Sequence, residues 1–321
     1  MASTDLPTAD PRPGRAQAAR RLGLVSAATA IVAAALYLVT VGTRLGQLVG
    51  ELILGGRPAS PATVAGAEQV LGSLSRTSLV IGTVTVIAIA LFQRRPRLAL
   101  AAAIAIIGSN LSTQLLKLVI LDRTDLLDGL FYALPNSFPS GHATAAGSIA
   151  VGAVLVLPPL LRAPSVILSA VVVTVVGVST LVTGWHRMAD AVGGVFVATA
   201  WGAGVGAILA WRRGVDVVGR RTAMLGDLAS RIPILVGVLV LLLGGLAYLI
   251  AALDPLDVLL VLAERGGSPA LFGIGVLMTS GTSLLALGAL GFALRDIRLD
   301  PRTIGAATRP TESEPPGRAS E

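Results

Sequence analysis

Long apolar stretches separated by short polar breaks run along the whole chain. Eight stand out: Leu22–Thr43, Thr77–Phe92, Leu98–Leu121, Ala143–Leu161, Val166–Thr183, Ala191–Trp211, Ile232–Leu253 and Leu271–Leu294. About 20 helical residues, at ~1.5 Å each, cross the ~30 Å apolar core of a bilayer. The pattern therefore predicts eight membrane-spanning helices, the short second one borrowing residues from Leu74 onward. The first stretch is too long for a signal-peptide core and has no persuasive cleavage site, so it is expected to be retained. Leu45–Leu54 is apolar at helical spacing, which predicts an amphipathic helix in the interface, expected as a surface cover. Gly202 and Gly206 are expected at close helix contacts. No internal repeat suggests a transporter built from two halves.

Fold class follows: an all-α, polytopic membrane helical bundle. Residues 1–19 are expected to be a disordered tail, 20–212 a six-span core, 213–298 two additional spans and 299–321 a second disordered tail.

Composition agrees with that reading. Hydrophobic residues make up 54% of the 321, and charged residues 13%, about half the share of an ordinary soluble domain. The net charge of +7 does not point to nucleic acid, because the arginines are scattered between apolar runs and form no basic face. They fit cytoplasmic loops instead. With the N-terminus inside, 18 of the 25 cations fall on the inner side. Both termini are then cytoplasmic. The absence of Cys excludes thiol chemistry, and two His residues make a His-rich metal site improbable. No cofactor is implied.

The outer breaks hold the uncommon residues. Lys117, the only lysine, and Arg123 end the third span. Pro139-Ser140-Gly141-His142 opens the fourth. His186 and Asp190 stand at the mouth of the sixth. At i, i+4 spacing on a helix, the last two would share a face, and a carboxylate beside an imidazole orients the ring and stabilises its positive charge. A helix N-terminus beginning Ser-Gly offers free N–H groups to an anion, with Gly141 allowing close approach and Ser140 adding a hydroxyl. Arg and Lys match phosphate oxygens. Each signal has a plainer alternative: a structural His–Asp pair, an ordinary N-cap, and interfacial snorkelling. Asp122, Asp125 and Asp128 are read as solvated loop residues and not as a metal site. Together the three stretches describe phosphoryl transfer to an imidazole, with the cations and N–H groups binding phosphate, one His attacking and the other protonating the leaving oxygen.

These residues resemble the motifs of the type 2 phosphatidic-acid phosphatase (PAP2) superfamily. That family has a Lys followed by Arg-Pro, then Pro-Ser-Gly-His, then Ser-Arg with a downstream His-x-x-x-Asp. The resemblance covers roughly Leu98–Trp211. It implies that His186 is the nucleophile, Asp190 its orienting carboxylate and His142 the general acid, with Lys117, Arg123, Ser140 and Gly141 binding phosphate and no metal required. Two positions depart from the family pattern: Thr124 stands in place of Pro, and Ser179-Thr180 in place of Ser-Arg. Arg187, adjacent to His186 though about 100° away around a helix, is a possible compensating cation. The implied substrate is a membrane lipid phosphate or diphosphate, such as phosphatidic acid, phosphatidylglycerol phosphate or a polyprenyl phosphate. The partners are that lipid and the bilayer. The alternatives are a non-catalytic protein that binds or transports a lipid phosphate, and an unrelated polytopic transporter.

Overall fold

A computed structural model describes residues 14–129, 136–253 and 256–301. Among these residues the chain is a helical bundle: α1 (Arg15–Thr40), α2 (Arg44–Gly55), α3 (Pro61–Ser73), α4 (Arg76–Phe92), α5 (Pro96–Leu115), α6 (Gly141–Val156), α7 (Pro159–Val182), α8 (Met188–Arg213), α9 (Arg220–Ala252), α10 (Leu256–Glu264) and α11 (Pro269–Ala293). A π-helical turn, Leu116–Ile120, ends α5. Two three-residue strands, β1 (Val215–Val217) and β2 (Ile297–Leu299), pair antiparallel.

Each of the eight apolar stretches is helical. Six helices (α1, α5 with its π turn, α7, α8, α9 and α11) are long and apolar enough to cross a membrane. α3 and α4, bent by 51° at Leu74–Ser75, pass the same test only as a pair, and make a seventh if the pair is one broken span. α6 is shorter, at 16 residues. The expected span Ala143–Leu161 overruns it because Leu157 precedes Pro158 and is extended, at φ −63° and ψ 142°. Proline disfavours the helical region for the residue before it. The chain is a multi-pass membrane protein.

The expected tails are shorter where they are described. The Ala-rich segment after Gly14 favours helix, so α1 begins at Arg15 and buries Ala18. Leu299 belongs to β2. Residues 1–13 and 302–321 lie outside the described part.

The polar ends of the bundle differ. At one end Arg21 pairs with Asp296 at 2.9 Å, and Arg95 donates to the Leu299 carbonyl at 2.7 Å. Arg162, one of the 18 cations counted on the inner side, lies buried in α7 and donates to the carbonyls of Val154, Leu294 and Ile297. At the other end α2 does not lie as an interfacial cover. Leu48, Val49, Leu52 and Ile53 are buried in the core, and the helix packs against α1, α8, α10 and α11. Amphipathic spacing is satisfied equally by protein and by lipid on the apolar face. α9 and α11 close together where Gly237 and Gly281 face each other: a Cβ on Gly237 would stand 2.8 Å from the Gly281 carbonyl oxygen. Small residues at such crossings let backbones approach without water to drive association.

Candidate active site

The chain segments that carry the uncommon residues meet at the end of the bundle away from Arg162. Arg187 is the N-cap of α8 and Asp190 its third residue. The Asp190 Oδ2 atom accepts the Arg187 backbone N–H at 2.9 Å and the Ser137 hydroxyl, so the carboxylate is fixed by a capping box and by the preceding loop. His186 Nδ1 lies 3.6 Å from the same oxygen. The ring is about nine-tenths buried, and Nδ1 has no hydrogen bond within ordinary reach. His186 is therefore placed against Asp190, but not by a shared helix face. It precedes α8, in a turn where Gly184 has φ +74° and the His186 N–H donates to the Thr180 carbonyl at 3.2 Å. Glycine adopts that left-handed conformation at little cost. The 100° separation expected for Arg187 falls away for the same reason.

His142 is the second residue of α6. Its ring faces His186 with centroids 6.3 Å apart, and Trp185 at 5.5 Å. Ser140 is the N-cap, its oxygen accepting the Ala143 N–H at 3.4 Å. The Ser140 N–H donates to the Asp190 carbonyl at 2.8 Å, which joins the two helix starts. Gly194 makes that junction possible, since a Cβ there would stand 2.6 Å from the Ser140 carbonyl oxygen. The Ser140 hydroxyl is thus held in a cap and fully buried. The N–H groups of Gly141 and His142 meet no acceptor among the described residues, and both residues are partly exposed. The stretch is both an N-cap and an unfilled pair of donors.

Lys117 sits in the π turn, half-buried, and its ammonium makes no hydrogen bond or ion pair among the described residues. It interacts electrostatically with both Asp190 and His142. Asn136 ties it to the middle stretch by donating to the carbonyls of Lys117, Leu121 and Phe138.

Two residues that sequence reasoning missed complete the arrangement. Glu51 of α2 is buried, and its Oε1 accepts from Arg123 Nη2 at 2.9 Å and from Arg187 Nε at 2.7 Å, with Arg187 Nη2 in ion-pair contact at 2.6 Å. Ser137 bridges Asp190 to Arg187 Nη1, at 3.2 Å from the guanidinium. The one signal for Glu51 was an acidic residue inside a helix that is apolar or neutral after its first residue, Arg44. Burial, then the charge of Arg187, lowers the proton affinity of Arg123 below the ordinary arginine range, and Glu51 opposes the shift. Thr180 is fully buried, its hydroxyl bonded back to the Gly177 carbonyl at 2.7 Å. Arg57 lies over Gly184, and its Nη1 donates to the Leu54 carbonyl. The loop aspartates make local contacts: Asp125 accepts the N–H groups of Leu127 and Gly129, and Asp128 pairs loosely with Arg44 at 3.6 Å. Among the described residues no three His, Asp or Glu side chains converge as a metal set.

The PAP2 superfamily model matches residues 69–213. Over those residues the chain is similar to the PAP2 superfamily. The matched region runs from within α3 to the end of α8, has a phosphatase-like fold, and contains every residue of the PAP2 motifs quoted above. Glu51 and Arg57 lie upstream of it. No curated protein and no solved structure matches the chain.

Proposed function

We propose that the chain is a membrane-embedded phosphatase that hydrolyses a lipid phosphate or diphosphate at the extracytoplasmic face through a phosphohistidine. The observation that carries this is the pair of imidazoles 6.3 Å apart, one of them backed by a carboxylate. With Nδ1 turned to Asp190, the His186 proton rests there and Nε2 holds the lone pair. That lone pair attacks phosphorus, the phosphorus–oxygen ester bond breaks, and His142 gives its proton to the departing lipid oxygen. Water then attacks the phosphohistidine while His142 takes back a proton. The products are the lipid alcohol, or the lipid monophosphate from a diphosphate, and inorganic phosphate. Lys117 and the N–H groups of Gly141 and His142 bind the phosphoryl oxygens, as does the face of the Arg123–Arg187 pair not engaged by Glu51. Arg187 supplies the guanidinium that Thr180 lacks. Neither a metal nor a cofactor enters the scheme.

The extracytoplasmic placement rests on charge. The outer side carries seven cations, and Lys117, Arg123 and Arg187 are three of them. The six-span core at 20–212 and the two further spans at 213–298 remain the proposed division.

A second reading is a protein that binds or moves a lipid phosphate without hydrolysing it. It is favoured by Thr180 and by the engagement of both arginines with Glu51. One experiment separates the two: the purified protein and His186→Ala, reconstituted in liposomes with a panel of lipid phosphates and no added metal. Phosphate release by the wild type alone supports the phosphatase. Equal background release from both supports the binder.

A further inference from the structure

An apolar groove runs down the outside of the bundle between α1, α5 and α8. Its walls include Ala30, Ala34, Tyr37, Leu116, Phe138 and Ala200, and its volume is about 480 Å³. That lies within the ~300–1,000 Å³ of ordinary ligand pockets. Its lining is overwhelmingly apolar and it opens to the lipid side, where Ala34 and Leu38 are exposed.

At its upper end the groove is lined by residues that neighbour the candidate active site along the chain. Phe138 is flanked by Ser137 and Pro139, and Leu116 by Lys117. Leu121, also in the wall, is two residues from Arg123 and accepts from Asn136. The depth is close to one leaflet. On α1 the walls extend from Leu38 to Ala30, eight residues apart, which at ~1.5 Å per residue is roughly 12 Å. Half the apolar core is about 15 Å. Trp201, the lining residue farthest along α8, is fixed in place. Its indole N–H donates to the Ser112 hydroxyl at 2.9 Å, and its ring lies against Gly108, where a Cβ would stand 2.6 Å from it.

We propose that this groove holds a hydrocarbon chain of the lipid phosphate whose headgroup sits between His142 and His186, and that Trp201 limits how much chain fits. The proposal rests on the phosphatase reading for its headgroup. Bulk lipid would also wet an apolar groove, but a chain anchored by its phosphate at Lys117 lies there with its position fixed. The polarity changes from cationic to apolar between Lys117 and Leu116.

The test has two arms, both in liposomes. In the first, wild type, Ala34→Phe and Trp201→Ala are given lipid phosphates with one short chain or one long chain. Ala34→Phe is expected to lower the long-chain to short-chain ratio of kcat/KM by about ten- to a hundredfold, and Trp201→Ala to raise the chain length at which the ratio peaks. An unchanged ratio in both variants would overturn the proposal, whereas loss of hydrolysis on every substrate by the wild type as well would sink the phosphatase reading. The second arm does not need turnover. A lipid phosphate carrying a photoreactive group at mid-chain should label peptides containing Ala34 or Ala200, and the same chain on a neutral lipid should label them far less. Equal labelling by the two lipids means bulk lipid fills the groove and overturns the proposal even for an inactive protein.

Discussion

Glu51→Gln should weaken both the fold and the phosphate site. In the native protein one carboxylate oxygen accepts from two buried guanidiniums, at 2.9 Å from Arg123 and 2.6 and 2.7 Å from Arg187. The side chains of all three residues are less than one-tenth exposed. Removing one partner of such a pair leaves uncompensated charge in a dry setting, which costs about 3–5 kcal/mol. Glutamine keeps the shape and one acceptor but not the charge, so the lower end, roughly 3 kcal/mol, is expected. For a chain of this size that is a fall in Tm of roughly 4–5 °C. The two arginines also lose the group that aims them, so KM for a lipid phosphate should rise. Thermal unfolding in detergent reads the first effect and liposome kinetics the second. A double variant, Glu51→Gln with Arg123→Gln, should be clearly less unstable than the sum of the singles, by about 0.5–3 kcal/mol, because it removes one unpaired charge. Refutation would be an unchanged Tm and KM for Glu51→Gln, or strict additivity in the double variant.

Three other outcomes are expected. Arg187→Lys replaces a fork that reaches both Glu51 and Ser137 by a point charge, so kcat/KM should fall about ten- to a hundredfold in liposome assays while the helical circular dichroism signal stays. Gly194→Ala places a methyl 2.6 Å from the Ser140 carbonyl oxygen, where backbone must shift; a loss of about 1–3 kcal/mol should appear in thermal unfolding, together with lower activity from a displaced His142. Arg162→Met leaves the carbonyls of Val154, Leu294 and Ile297 without their donor, so Tm should fall by several degrees, yet KM should hold because these contacts lie at the opposite end of the bundle.

The spans were legible because lipid imposes length and polarity on them residue by residue. Errors appeared where a boundary depends on backbone detail, as at Leu157, or where an apolar face can meet protein instead of lipid, as in α2. The site was partly legible. His142, His186, Asp190 and Lys117 come together because each marks a polar break at the same end of the bundle. The proximity of His186 and Asp190 was expected from helical spacing, yet it arises from an N-cap turn, since Gly184 and Arg187 end one helix and begin the next. Glu51 could not be read. Its partners are 72 and 136 residues away in the chain, and only the packing of α2 into the core brings them together. Arg187 was visible as a charge beside His186. Its route to Glu51 and Ser137 depends on that same packing and on the loop at Asn136–Phe138.

The account turns on His186 as the nucleophile. Its most direct test is to mix the reconstituted protein with a radiolabelled lipid phosphate, quench within milliseconds under conditions that preserve phosphohistidine, and map the label by peptide. The prediction is label on His186, absent from His186→Ala and chased by water on the time scale of turnover. Phosphate release with no label on His186, or label on His142 instead, would contradict it.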